Sequence, residues 1–146
     1  MRREYFIDSQ LCIPRVLFAA NQMETLPEMQ DLKDIVNEFI KLVHQLKFQE
    51  AHQYYSEDII NVENEGEPVI GLAAKTEKEE ELLEYFTNIS AEPLHSIVSD
   101  DMSVTEWRYK FTNKQSGEKT DYTQLSLQRW KNGKIIHERH HYKTGK

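Results

Sequence analysis

Cysteine is almost absent from this chain. Cys12 is the only one in 146 residues, so no internal disulfide can form and a reducing compartment is compatible with the composition. There is no apolar run long enough to span a bilayer. Positive charge is in deficit: the net charge of −7 argues against a general affinity for nucleic acid or for an anionic membrane. Glycine and proline number only five and four, and neither internal repeats nor low-complexity segments occur. The opening MRREYFIDSQLCIPRVLFAA carries two arginines, as a secretory leader would. Glu4, Asp8, Pro14 and Arg15 break up any apolar stretch behind them, so it is not read as one, and a cytoplasmic location is the expectation.

What is present speaks most clearly in the last third. Asp121 to Tyr142, DYTQLSLQRWKNGKIIHERHHY, consists of two extended runs joined at Asn132-Gly133. Asn-Gly between alternating runs predicts a hairpin, because a type I′ turn needs two residues at positive φ. Within the second run, His137-Glu138-Arg139-His140-His141 matches the H-E-x-x-H zinc-protease pattern. That pattern chelates only on a helix, where residues four apart share a face. On a strand, His137 and His141 stand about 13 Å apart at ~3.3 Å per residue and cannot reach one ion. No further His, Cys or Asp cluster offers a third ligand, so neither metal nor cofactor is expected.

Upstream, the pattern is helical. Leu32, Ile35, Val36, Phe39, Leu42, Val43 and Leu46 follow helical spacing behind Asp31 as N-cap. A shorter helix follows with Phe48, Ala51, Tyr54 and Tyr55 on its inner side. Ile59 to Asn64 reads as a strand, ended by Glu65-Gly66-Glu67-Pro68. Gly71 opens a third helix to about Phe86, with TEKEEE at 76–81 read as its solvated face. Strands are predicted at roughly 92–99, 102–113, 120–131 and 134–143, with turns at Asp100-Asp101 and Ser116-Gly117. Helices first and an antiparallel meander afterwards give an α+β fold: three N-terminal helices on a strongly curved, mostly antiparallel sheet, a cone with a pocket between the layers. Residues 1–28 read as an arm outside the core, with Met23 as an alternative start, and 29–146 as the domain.

Three stretches resemble one superfamily. FIKLVHQLKFQEAHQYYSEDIINVEN (39–64) resembles its helix–helix–strand opening, VIGLAAKTEKEEELLEYF (69–86) the glycine that begins its third helix, and LQRWKNGKIIHERHHY (127–142) its final hairpin. The chain is on these grounds similar to the nuclear-transport-factor-2-like superfamily, SnoaL-like branch, a cystatin-like roll that includes ketosteroid isomerases, polyketide cyclases, dehydratases and members without known activity. Fold therefore does not give function. Carried over residue by residue, the isomerase oxyanion tyrosine falls on Phe39, its general-base aspartate on Asn64 and its second oxyanion donor near Thr123. None can do that work, and the isomerase mechanism is argued against.

The same register places Ile60, Val62 and Asn64, then Thr123, Leu125 and Leu127, and finally Ile136, Glu138, His140 and Tyr142 towards the interior. Glu138 and His140 become the candidate catalytic pair, provided burial raises the glutamate's pKa; a cross-sheet pairing of Glu138 with Arg108 or Arg129 is the alternative. Tyr55, Asn64, Trp107, Thr123 and Tyr142 are the candidate ligand-binding residues, while Glu63 and Glu65 are read as solvated. Two readings of function stand. One is a pocket protein for a small apolar or carbonyl-bearing ligand, without catalysis. The other is a cofactor-independent cyclase, isomerase or dehydratase using Glu138 or His140 as acid/base. Thr105, Trp107, Tyr109 and Phe111 share one strand face, and the superfamily likeness implies a homodimer through the outer sheet face, where Trp107/Tyr109 or Tyr122/Trp130 would serve.

Overall fold

A computed structural model describes residues 30–144 of the chain, so the N-terminal arm and the alternative start lie outside the described residues. Helix α1 runs Leu32–His44, and Asp31 caps it by accepting a hydrogen bond from the Lys33 amide at 3.2 Å. Its stripe buries Val36, Phe39 and Val43, each worth about 1.5–3 kcal/mol when fully withdrawn from water. Leu46 ends the segment at φ 60, and its amide is taken by the Val43 carbonyl. The second helix is shorter than its apolar residues suggest: α2 covers Phe48–Ala51, one 3₁₀ turn covers His52–Tyr54, and Tyr55 already belongs to strand β1 (Tyr55–Glu63). Strand β2 is the two-residue Val69–Ile70, which the sequence does not announce. Gly71, at φ 94, opens α3 (Leu72–Tyr85).

The rest is a meander: β3 (Phe86–Ser99), β4 (Met102–Asn113), β5 (Lys119–Lys131) and β6 (Lys134–Tyr142). β3 starts six residues earlier than its apolar pattern suggests. It is the edge of the sheet, where Pro93 removes no needed bond, and Asn88 at φ 52 sits where its register shifts. The six strands order as β2-β1-β6-β5-β4-β3, all neighbours antiparallel except β1 and β6, and the sheet is not closed. The α+β architecture is as expected. Asn132 at φ 51 and Gly133 at φ 73 make the predicted turn between β5 and β6. Phe39 stands at the centre of the core, its ring meeting Tyr54, Tyr55 and Trp130 edge-on at 5.7–6.0 Å between centroids.

Two strands present the opposite face from the one expected. On β1 the inward residues are Ile59, Asn61 and Glu63, while Ile60 is exposed and Asn64 lies beyond the strand at φ 51. On β5, Gln124, Ser126, Gln128 and Trp130 are buried, and Leu125 faces out. One cause explains both. Alternation points inward only when the interior is apolar; here it encloses a polar row, so the aliphatic residues take the other face. β6 behaves as expected from Glu138 onwards. Nearer its turn a register shift changes the phase, putting Ile135 rather than Ile136 in the core.

Candidate functional site

Between the helices and the concave face lies a cavity of about 930 Å³, within the size range that holds a small organic ligand. Its wall carries the aromatic stripe of β4, Trp107, Tyr109 and Phe111, continued by Tyr122 of β5 and Tyr142 of β6. Neighbouring centroids along this wall are 5.5–5.9 Å apart. The stripe expected to serve a dimer surface therefore lines the cavity instead, and Trp130 is buried in the core.

The floor is a polar row set by strand register. Ser103 lies opposite Gln128, Gln128 opposite Glu138, and Glu138 opposite Asn61, so four strands each contribute one side chain. The Ser103 hydroxyl donates to Gln128 Oε1 at 3.0 Å, and Gln128 Nε2 donates to Glu138 Oε1 at 2.7 Å. Asn61 Nδ2 donates to Glu138 Oε2 at 2.9 Å. Tyr55, reaching in from the start of β1, donates its hydroxyl to the same carboxylate at 3.0 Å. His140 Nε2 stands 3.3 Å and Lys75 Nζ 3.6 Å from Glu138 Oε2.

Glu138 is 1% exposed. Burial by itself would raise its pKa, as the sequence reading supposed. Its His140 and Lys75 neighbours, with the hydrogen bonds from His140 and Gln128, outweigh that and hold it far below the usual carboxylate range. Neither Arg108 nor Arg129 pairs with it; Arg108 makes a two-pronged bond to Asp121 at 2.8 Å on the outer face. Tyr55 responds in the opposite sense, its phenol pushed well above the ordinary value by burial and by the Glu138 charge.

The next rank of the row belongs to His140. Its Nδ1 meets the Ser126 hydroxyl at 2.8 Å and Gln124 Nε2 at 3.1 Å. Its Nε2 faces Glu138 and its Nδ1 faces Ser126 and Gln124, so both ring nitrogens are engaged within the protein. Tyr122 extends the chain outwards, donating to Gln124 Oε1 at 3.2 Å, and burial pushes its pKa up to about 12. At Tyr142 the hydroxyl donates to Glu63 at 2.6 Å, and Lys78 stands 3.4 Å from the same carboxylate.

Tyr55, Trp107, Tyr142, Glu138 and His140 line the cavity. Thr123 borders it only at its rim: it was expected to point inward, but it is exposed on the outward phase of β5, opposite Arg108. Asn64 does not line it: its side chain accepts from the Tyr142 amide at 2.9 Å, bracing the end of β6. Glu63, expected in solvent, lines the cavity because β1 has the other phase. Asn61, Gln124, Ser126 and Gln128 were missed for the same reason. Lys75 was missed because it borders the acidic run read as solvated, and Glu79 because it lies within that run, two of whose members, Lys78 and Glu79, line the cavity instead. The signal was there, since Leu72, Lys75, Glu79 and Leu82 form one helical stripe interrupted by two charges. His137 and His141 point away from Glu138 and His140, and no cluster of metal-ligating side chains occurs among the described residues.

A family model for the SnoaL-like domain matches residues 36–138. The chain belongs to the SnoaL-like family. Solved SnoaL-like and NTF2-like proteins share its fold. A candidate SnoaL-like polyketide cyclase from Mesorhizobium loti is 26% identical with a TM-score of 0.69, over 76% of this chain and 98% of that one. An NTF2-like protein of unknown function from Burkholderia pseudomallei is 14% identical with a TM-score of 0.69, over 79% and 92%. AclR of Streptomyces galilaeus, a candidate hydroxylase, is 15% identical with a TM-score of 0.66, over 79% and 90%. Among curated proteins none matches the chain. As a SnoaL-like family member it shares a fold used by polyketide cyclases and isomerases. No described helix is long and apolar enough to cross a membrane.

Proposed function

We propose that this SnoaL-like chain is a small-molecule-binding protein whose cavity holds its ligand without acid/base chemistry. The observation that carries this reading is the saturation of the polar floor. Glu138 faces donors from Tyr55, Asn61, Gln128 and His140, and both ring nitrogens of His140 are engaged within the protein. A carboxylate so strongly held as its anion is a weak base, and its lone pairs are already used. Such a network fixes the shape of a site, because every member restrains its neighbours.

One observation favours the enzymatic alternative. His140 is 17% exposed, faces the cavity, and is backed by a carboxylate, the arrangement that orients a general base. Exchanging its Ser126 and Gln124 partners for a substrate would free Nδ1. Acetylnaphthalene in deuterated water separates the readings, since a general base in the cavity would exchange its acetyl protons for deuterium. Binding without accelerated exchange is the expected outcome. Exchange accelerated by the protein and abolished by His140→Gln would establish the cyclase or isomerase type of chemistry instead.

We further propose a homodimer through the outer face of the sheet, on residues other than the aromatic stripe. Ile60, Ile70, Ile97 and Leu125 are exposed there, 39%, 66%, 70% and 45% respectively, on β1, β2, β3 and β5 in that order.

A further inference from the structure

The floor of the cavity contains one polar group whose hydrogen-bonding capacity is not used within the described residues. Lys75 projects from α3 with its side chain 12% exposed. Its nearest acceptors are Glu138 Oε2 at 3.6 Å and Glu79 Oε2 at 3.8 Å, close enough to balance its charge but beyond hydrogen-bond length. A third side of the ammonium lies over the Tyr55 ring, 4.6 Å from the centroid. An ammonium carries three N–H donors and no acceptor. This one, lining the cavity, has no acceptor at hydrogen-bond length among the described residues, so a donor is open to a ligand. Everything around it is already paired: Glu79 also holds His52 Nε2 at 2.9 Å, and Glu138 is surrounded by donors.

We propose that Lys75 is the specificity-determining anchor of the cavity and that it selects a planar molecule presenting a neutral carbonyl oxygen. This rests on the reading of the cavity as a small-molecule site. The planar requirement comes from the aromatic wall of Trp107, Tyr109 and Tyr122. The neutral oxygen follows from charge. Two carboxylates within 4 Å of the ammonium cancel most of its pull on a further anion, and both would repel a ligand carboxylate entering beside them. A carbonyl oxygen accepts the N–H without adding charge. A ligand ammonium, which has no acceptor, would leave Lys75 unsatisfied. Selection of this kind is sharp, because a site built around a buried polar group rejects analogues that lack its partner.

The test uses three naphthalenes of one shape, substituted at the same ring position: the acetyl ketone, the isopropyl hydrocarbon and the carboxylate. Calorimetry on the full chain is expected to give the ketone at least about tenfold tighter than either analogue, the worth of one hydrogen bond to a charged group. Lys75→Met should reduce ketone affinity to that of the hydrocarbon and leave hydrocarbon binding within about twofold, while Lys75→Arg should retain the preference. The infrared carbonyl stretch of the bound ketone should fall to lower frequency in the wild type, a readout that stands even if Lys75→Met does not fold. Equal wild-type affinity for ketone and hydrocarbon, tighter binding of the carboxylate, or an unshifted carbonyl stretch would overturn the role of Lys75 while leaving the cavity a ligand site. Failure of all three compounds to bind the wild type would overturn the small-molecule reading itself, and the anchor with it.

Discussion

The Tyr55 hydroxyl donates to the Glu138 carboxylate at 3.0 Å, tying the end of the helical segment to the last strand across 83 positions of sequence. Tyr55 is 8% and Glu138 1% exposed, so this bond is made where the local dielectric is low. Tyr55→Phe keeps the ring against Phe39 and removes only the donor. The expected loss is about 2 kcal/mol, the range for a hydrogen bond to a charged group, measured by urea unfolding with an unchanged slope. A loss below about 0.5 kcal/mol would mean that Lys75, Asn61 and Gln128 suffice to hold the anion.

Glu138 also sets a pH dependence. Its pKa in the fold lies far below the ordinary value of 4.5, so as pH falls the unfolded chain takes up this proton first. Stability therefore rises with pH through this window. The contribution of Glu138 is fully present above about pH 5 and is progressively lost as pH falls below 4.5 towards the folded-state value. Glu63, held low by Tyr142 and Lys78 despite partial burial, acts in the same direction. Glu138→Gln should lower stability near neutral pH by about 3 kcal/mol, since it breaks a buried ion pair from one side, and should flatten the acid limb. An unaltered acid limb in that variant would show that Glu138 is not the group responsible.

Gly133→Ala tests the final hairpin. A Cβ at this position would meet Ile35 Cδ1 at 3.6 Å, an ordinary contact, so the penalty comes from holding alanine at φ 73. It should be about 1–2 kcal/mol by thermal or urea unfolding, with the fold retained. Asn132→Gly, at φ 51, should lie within about 0.5 kcal/mol of wild type, since glycine also populates that region.

The proposed dimer has a separate readout. Leu125→Glu places a charge on the outer face, opposite Glu106 on β4, without touching the cavity. Sedimentation should show a dimer for the wild type and a monomer for the variant, with probe binding preserved in both. A wild type that sediments as a monomer at micromolar concentration would remove the proposal.

Much of this molecule is written locally. The helical spacing and Asp31 fix α1, Gly71 fixes the start of α3, and Asn132-Gly133 fixes the last hairpin, because each depends on neighbours within a few residues. The hairpin was enough to separate Glu138 and His140 from His137 and His141, and so to dissolve the apparent zinc motif. Tertiary structure alone decided which face of β1 and β5 turns inward. An alternating strand has two faces, and its own residues do not say whether the interior it meets is apolar or polar. Here the interior holds the carboxylate of Glu138, and that single buried charge draws in Asn61, Gln128, His140 and Tyr55 from distant parts of the chain. Lys75 follows by the same logic. On the helix it borders a run of charges that reads as solvated; only the packing of α3 over the sheet sets its ammonium against Glu138, because ion pairing acts through space and leaves no period in the sequence.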